Sequence, residues 1–314
     1  MPVMLGTTEC AIPIARAYRG TNLVYEEEQA KAGRIVCVGA NGKSYYSLDG
    51  ETWTAMSGLA SLSTSSNRGV TYGNGMFVTI NSAKKTYCST DGETWVETNG
   101  VATNNIYAVT YGNDRFVCVG ASGNSYYSLD GLTWTAMTGL ASYAFNGVTY
   151  GNGRFVCVGA SGKSYYSLDG ITWTAMTGLA SYAFNGVTYG NGIFVCVGAN
   201  GRAYYSTDGE TWTKGNAISS NDYYGVTYGN GVFVAVGNAY VKYSTDGKTW
   251  NDTNGVDSVS GLSAYIYNGV TYGNGRFVCV GNKGKSYYST DGINWAAMTG
   301  LASASYSAVC YGEI

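Results

Sequence analysis

Seven copies of one signature, Ser-x-Asp-Gly-x-(Thr/Asn)-Trp, punctuate this chain, with their acidic residues at Asp49, Asp91, Asp130, Asp169, Asp208, Asp246 and Asp291. The steps between them are 42, 39, 39, 39, 38 and 45 residues. A unit of that length, filled with strand-forming residues, cannot bury its own faces and must stack on neighbours like itself. One full unit runs from Gly147 to Asn185 and offers four strand candidates. The first, strand a, is Gly-Val-Thr-Tyr, ended by Gly-Asn-Gly, whose turn residues tolerate positive φ. Strand b is Phe-Val-Cys-Val, strand c is Ser-Tyr-Tyr-Ser, and strand d starts at Thr-Trp. Four antiparallel strands joined by hairpins make one propeller blade.

The two ends of the repeat decide between a ring and an open array. The first unit starts at Arg34 with strand b and lacks strand a. After the seventh strand d comes Ser307-Ala308-Val309-Cys310-Tyr311-Gly312, a lone strand a. An open array would leave unpaired edges and bare blade faces, which β proteins avoid. The sequence therefore predicts an all-β fold: a closed seven-bladed β-propeller over residues 34–314, with its first blade completed by the C-terminal strand. Residues 1–33 fall outside the repeat and form an N-terminal anchoring arm.

Composition limits the partners. Only 12% of the 314 residues are charged and the net charge is −2, which argues against non-specific nucleic-acid binding. No apolar run approaches the ~20 residues of a membrane span. The N-terminus lacks the basic and apolar segments of a secretory signal, so folding in a cytoplasm is expected. Five of the eight Cys (Cys37, Cys118, Cys157, Cys196, Cys279) share one repeat position. Equivalent points in neighbouring blades lie too far apart to bridge, so these are core thiols. With no His and no Cys-x-x-Cys pair, no metal site and no cofactor is expected.

The signature resembles the Asp-box, or bacterial neuraminidase repeat, of sialidases and of many unrelated propellers. The resemblance covers residues 34–314, although the family pattern has one more residue between Asp and Thr. It implies a structural role: the Asp carboxylate accepts N–H groups of its own turn, the Gly takes a positive φ, and the Trp inserts between blades. Sialidases of this resemblance have six blades, an arginine triad and a Tyr/Glu nucleophile pair. Here Arg34, Arg115, Arg154 and Arg276 share one repeat position and spread around a rim, and Glu51, Glu93 and Glu210 share another. No Asp/Glu pair outside the repeat is placed as acid and base, so the chain is expected not to be an enzyme.

In such a ring the a–b and c–d turns lie on one face and the b–c and d–a loops on the other. The Asp signatures and the arm junction share the first face, leaving the loop face free. The start of strand c on that face carries Lys43, Lys85, Asn124, Lys163, Arg202, Tyr240 and Lys285. Just before strand a lie Phe145, Phe184, Tyr223, Tyr267 and Tyr306, with Tyr143, Tyr182, Tyr224 and Tyr265 beside them. The candidate ligand residues are Lys43, Lys85, Lys163, Arg202, Lys285, Tyr143, Tyr182, Tyr223 and Tyr265, which could stack on sugar rings and pair with anionic groups. The alternative is that the cations form a solvated edge and the aromatics fill gaps between blades. The near-identical units 108–146 and 147–185 suggest multivalent presentation, and a special site would sit near Asn221–Tyr224 or in the loop 257–267.

The run Ile14 to Glu26 resembles N-terminal segments of phage and prophage structural proteins, typified by Tyr-x-Gly-(Ser/Thr)-x-Leu-Val-Tyr. That resemblance implies a virion-associated adhesin, in a tail or head fibre or as a decoration protein. The arm would be docked on other virion proteins and the free face would bind cell-surface or mucus glycans. The second reading is a protein-interaction scaffold in a virion or bacterial assembly, which leaves a homo-oligomer and a cytoplasmic location open.

Overall fold

The computed structural model describes residues 18–19, 22–23, 33–62, 64–101, 105–256 and 265–314. Seven four-stranded antiparallel sheets follow one another around a ring. Blade 4 shows the pattern: strand a is Phe145–Gly151, strand b Arg154–Gly159, strand c Ser164–Ser167 and strand d Thr174–Ala175. In blade 1 the C-terminal strand Tyr306–Glu313 pairs with Gly33–Gly39, so the ring closes as the repeat count requires. The propeller thus begins at Gly33, one residue before the sequence boundary. Of the arm, Tyr18–Arg19 pairs with Asn22–Leu23 as a short ribbon, and its other residues lie outside the described ones.

Two strand limits differ from the sequence reading. Strand a starts two residues earlier, at Phe145 in blade 4, because a bulge between Phe145 and Gly147 carries the pairing past the Gly. Strand d starts after the Trp, since Trp173 is buried in the turn that precedes it. A five-residue helical turn, Gly58–Leu62, also interrupts the loop from blade 1 to blade 2.

The core lies between blades. Strand b is buried along almost its whole length in every blade, and alternation sends successive side chains to opposite neighbours. Phe155 and Cys157 pack with Val117 and Val119 of blade 3. Val156 and Val158 pack with Phe184, Phe194 and Trp212 of blade 5. The same exchange between blades 7 and 1 joins Val278 and Val280 to Ile35, Cys37 and Trp53. The repeated Cys are buried free thiols, as expected.

At the inner end of each interface a Tyr of strand a lies across the Gly that ends strand a of the preceding blade. A Cβ on Gly151 would fall 2.2 Å from Tyr189 Cγ, and one on Gly190 would fall 2.1 Å from Tyr228 Cγ. The contact passes through the closure, where a Cβ on Gly312 would meet Tyr72 Cδ2 at 2.4 Å. The Tyr72 hydroxyl also donates to the Glu313 carbonyl. Only Gly leaves room for a ring there.

Removal of residues 305–314 strips buried Tyr306 and Val309 and the partner of strand Gly33–Gly39. Each of those side chains is worth about 1.5–3 kcal/mol of burial. The truncated chain should melt at least about 10 °C lower, or lose its single cooperative transition. Calorimetry checks this, and an unchanged melting point would count against closure through this strand.

Candidate functional site on the loop face

The Asp signatures are turns. In all seven the Ser hydroxyl donates to the Asp Oδ1 at 2.8–2.9 Å. The Gly N–H donates to that Ser Oγ at 2.8–2.9 Å. The next two N–H groups donate to the same Oδ1 at 2.7–2.9 Å. Such bonds favour the ionised carboxylate. At Asp208 the Thr211 and Glu210 N–H groups lower the carboxyl to about 2. At Asp169 and Asp291 burial opposes the shift, but the turn N–H groups outweigh it and these too sit at about 2.

The arginine rim belongs to the same face. Arg34 pairs with Glu93 at 2.8 Å, Arg154 with Glu210 at 2.8 Å, and Arg276 with Glu51. Each pair joins strand b of one blade to the Asp turn of the next. Arg115 finds no Glu at the matching place, which is Ile171, and its Nε reaches the Asn113 carbonyl at 3.4 Å. These residues hold the ring and do not converge.

On the loop face the structure divides the nine candidates. Lys163 lies over the Tyr143 ring at 5.1 Å, Arg202 over Tyr182 at 4.4 Å, and Lys285 over Tyr265 at 4.9 Å. The three pairs are one arrangement repeated at blades 4, 5 and 7, with the Tyr in the d–a loop and the cation at the start of strand c. Tyr143 is 40% exposed, and Arg202 also donates to the Tyr182 hydroxyl at 3.1 Å. Lys43 has no aromatic partner because Ala304 stands where the Tyr would be. Lys85 is tied to Glu97 at 2.8 Å instead.

Tyr223 corrects the sequence reading. It is fully buried, like Phe145, Phe184, Tyr267 and Tyr306 in the same column. These rings pack edge-on against strand c, as Phe145 does on Tyr165 at 5.5 Å and Phe184 on Tyr204 at 5.3 Å. The gap-filling alternative holds for this column, which cannot touch a ligand. Residues 257–264 of the other suggested loop lie outside the described residues.

What the sequence reading missed, Tyr224 apart, is the next residue along strand a. Ser307, Arg68, Tyr107, Asn146, Asn185, Tyr224 and Asn268 stand one per blade, in that order around the axis. With Ser305 they line a central pocket of about 560 Å³. Asn146 donates to the Phe184 carbonyl at 3.0 Å and to Asn185 Oδ1 at 3.2 Å. Asn185 and Asn268 donate likewise to the Tyr223 carbonyl at 2.9 Å and the Tyr306 carbonyl at 2.8 Å. The asparagines therefore stitch blade to blade while lining the pocket. One residue deeper, inner strands come so close that a Cβ on Gly186 would lie 3.1 Å from Gly225 Cα. A sequence signal was there: a column next to an invariant Gly/Ala that holds Arg, Tyr, Asn and Ser varies as a scaffold position need not.

Among the described residues no group of His, Cys, Asp and Glu could hold a metal ion, and no helix is long and apolar enough to cross a membrane.

No protein-family model matches the chain, and no curated protein matches it. Solved structures do. YCF48 bound to D1 peptide superposes with a TM-score of 0.56 at 15% identity, over 75% of this chain and 81% of that one. A Nidogen/Laminin complex gives 0.58 at 9% identity, over 88% and 98%. The GH74 enzyme of Niastella koreensis gives 0.52 at 17% identity, over 86% of this chain and 43% of that one. At these identities the likeness shows the β-propeller fold alone.

Acid should expose the turn chemistry. The Asp carboxyls are lowered in the folded chain relative to about 3.9 when unfolded, so their contribution is full above about pH 4 and is lost as pH falls toward 2. The melting temperature at fixed ionic strength should fall steeply across that window. A flat profile would show that the turns contribute no ionisation-linked stability.

Proposed function

We propose that this chain is a non-enzymatic binding module that adheres to anionic cell-surface or mucus glycans through its loop face and is carried on a phage particle by its arm. The observation that carries this is the division of charge between the faces. The seven turn carboxylates, with Glu51, Glu93 and Glu210, sit at one end of the ring, and three of the four rim arginines there are consumed by pairing with Glu. The opposite end presents Lys43, Lys163, Arg202 and Lys285 around a polar pocket, three of them stacked on Tyr. A basic rim draws polyanions, and exposed Tyr rings offer faces on which sugars stack.

The anchoring part of the reading rests on the Ile14 to Glu26 resemblance, whose middle is the Tyr18–Arg19 and Asn22–Leu23 ribbon. The chain joins the ring at Gly33, beside Glu313 at the Asp-turn end, so an arm docked there leaves the loop face outward. The absence of His from the sequence, and the use of the repeated carboxylates in turns and ion pairs, support binding without catalysis.

Alanine at Lys43, Lys163 and Lys285 together should sharply reduce retention on an array of anionic glycans, with the melting temperature held within about 2 °C because these are surface residues. Unaltered retention would reject the rim as the contact surface.

A protein-interaction scaffold is the second reading. It is favoured by propellers of this shape whose names state a D1 peptide or laminin as the bound partner. Fractionation separates the two. Co-purification with particles together with binding of purified chain to intact cells is expected for the adhesin. Particle association without cell binding would favour the scaffold.

A further inference from the structure

We propose that the axial pocket is the primary recognition site, taking one carboxylate-bearing sugar per chain with its carboxylate on Arg68; this rests on the glycan reading above and names its site and selectivity. Seven equivalent positions face the pocket, and Arg68 is the single charged residue among them. The other propeller arginines are engaged: Arg34, Arg154 and Arg276 by Glu, Arg115 by the Asn113 carbonyl, and Arg202 by Tyr182. Arg68 is exposed and has no ion pair or hydrogen bond among the described residues. A guanidinium left open at the mouth of a polar cavity is a fork for a carboxylate.

The remainder of the lining fits hydroxyl groups. The Tyr107 hydroxyl and the Oδ1 atoms of Asn146 and Asn268 make no hydrogen bond among the described residues. The Tyr224 hydroxyl contacts Asn238 Oδ1 at 3.3 Å, at the long end for such a bond. Donors and acceptors are thus spread around the pocket, and the two Tyr sit opposite each other across three blades. No aliphatic side chain lines the wall, which tells against an apolar peptide side chain as the occupant. The volume lies within the range of about 300–1,000 Å³ usual for small-ligand sites, enough for the end of a saccharide and not for a folded partner.

The site is also pre-formed. Its residues lie on the innermost strands, with Asn146, Asn185 and Asn268 locked to neighbouring backbone, so little ordering is lost on binding. A single axial site gives a stoichiometry of one. Repeated rim pairs acting alone would give about three.

Titration calorimetry of the purified full-length chain with D-galacturonate, D-galactose, D-glucuronate and D-glucose tests this, since each acid differs from its neutral sugar only in the C6 group. At least one acid should bind with a stoichiometry near one and more tightly than its neutral partner. Arg68→Gln should weaken that acid about ten- to a hundred-fold and leave the neutral sugar unchanged, with Arg68→Lys in between. The triple alanine variant at Lys43, Lys163 and Lys285 should keep the stoichiometry near one. Acid binding unaltered by Arg68→Gln, or a stoichiometry near three that the rim variant abolishes, would overturn the axial site while leaving the glycan reading intact. If the wild-type chain retains no sugar here or on the array, both fall. Tighter binding of a triglutamate peptide than of any sugar would also overturn the proposal, in favour of an acidic peptide ligand.

Discussion

Everything in this molecule depends on the contact between one blade and the next. No blade encloses a core, so Phe155 and Cys157 are buried only because blade 3 supplies Val117 and Val119, and Val156 and Val158 only because blade 5 supplies Phe184 and Trp212. A partial ring built this way leaves a bare face on each of its two end blades. The last interface must form between sequence-distant ends, which is why Tyr306–Glu313 returns to Gly33–Gly39 and why Tyr72 comes to lie over Gly312. The cross-blade Arg–Glu pairs and the Arg side chains laid over the next Asp-Gly turn repeat the same demand at the rim.

The architecture was legible in the sequence because these demands repeat. Asn-Gly between strands a and b appears as Asn152 and Gly153 with φ of 48° and 73°, and the Ser-x-Asp-Gly turn shows its chemistry in its own letters. Counting strand starts against strand ends was enough to predict closure. The site was less legible, for a local reason. Strand a was read as Gly-Val-Thr-Tyr, which omits its first two residues. The bulge between Phe145 and Gly147 breaks strict alternation, so the aromatic column that reads as a surface feature turns inward and the column after it faces the axis. Tyr143, Tyr182 and Tyr265 lie before the bulge, in the loops, where Lys163, Arg202 and Lys285 lie over their rings.

Repetition and function pull in opposite directions in a ring of near-copies. A position that serves every interface equally is held to one residue type, as the Gly under each Tyr is by a 2.0–2.4 Å approach. A position on the axis meets all its equivalents in one cavity, so a difference in any blade alters a single shared site. Arg68, Tyr107, Tyr224 and Ser307 are such differences, whereas Asn146, Asn185 and Asn268 keep the stitch to the next blade. Replacing an Asn there costs one side-chain bond between inner strands, roughly 0.5–1.5 kcal/mol each. A large closed ring tolerates that loss at four of seven blades.

On the proposed glycan reading, the rim and the axis divide the work of recognition by their geometry. Cations at the rim are separated by whole blades, and two of the stacked pairs, at Arg202 and Lys163, hold the charge against a ring instead of presenting a convergent fork. Charges placed so raise the rate at which a polyanion arrives and fall off with salt, but they read little of its structure. The axial residues are fixed by inner-strand backbone, surround a cavity from all sides and include one open guanidinium. On the same reading, shape and bond geometry would be read there. A long acidic chain would be drawn by the rim and identified by the one unit it inserts at the centre, so the duplicated surface supplies capture and the asymmetric ring of seven supplies choice.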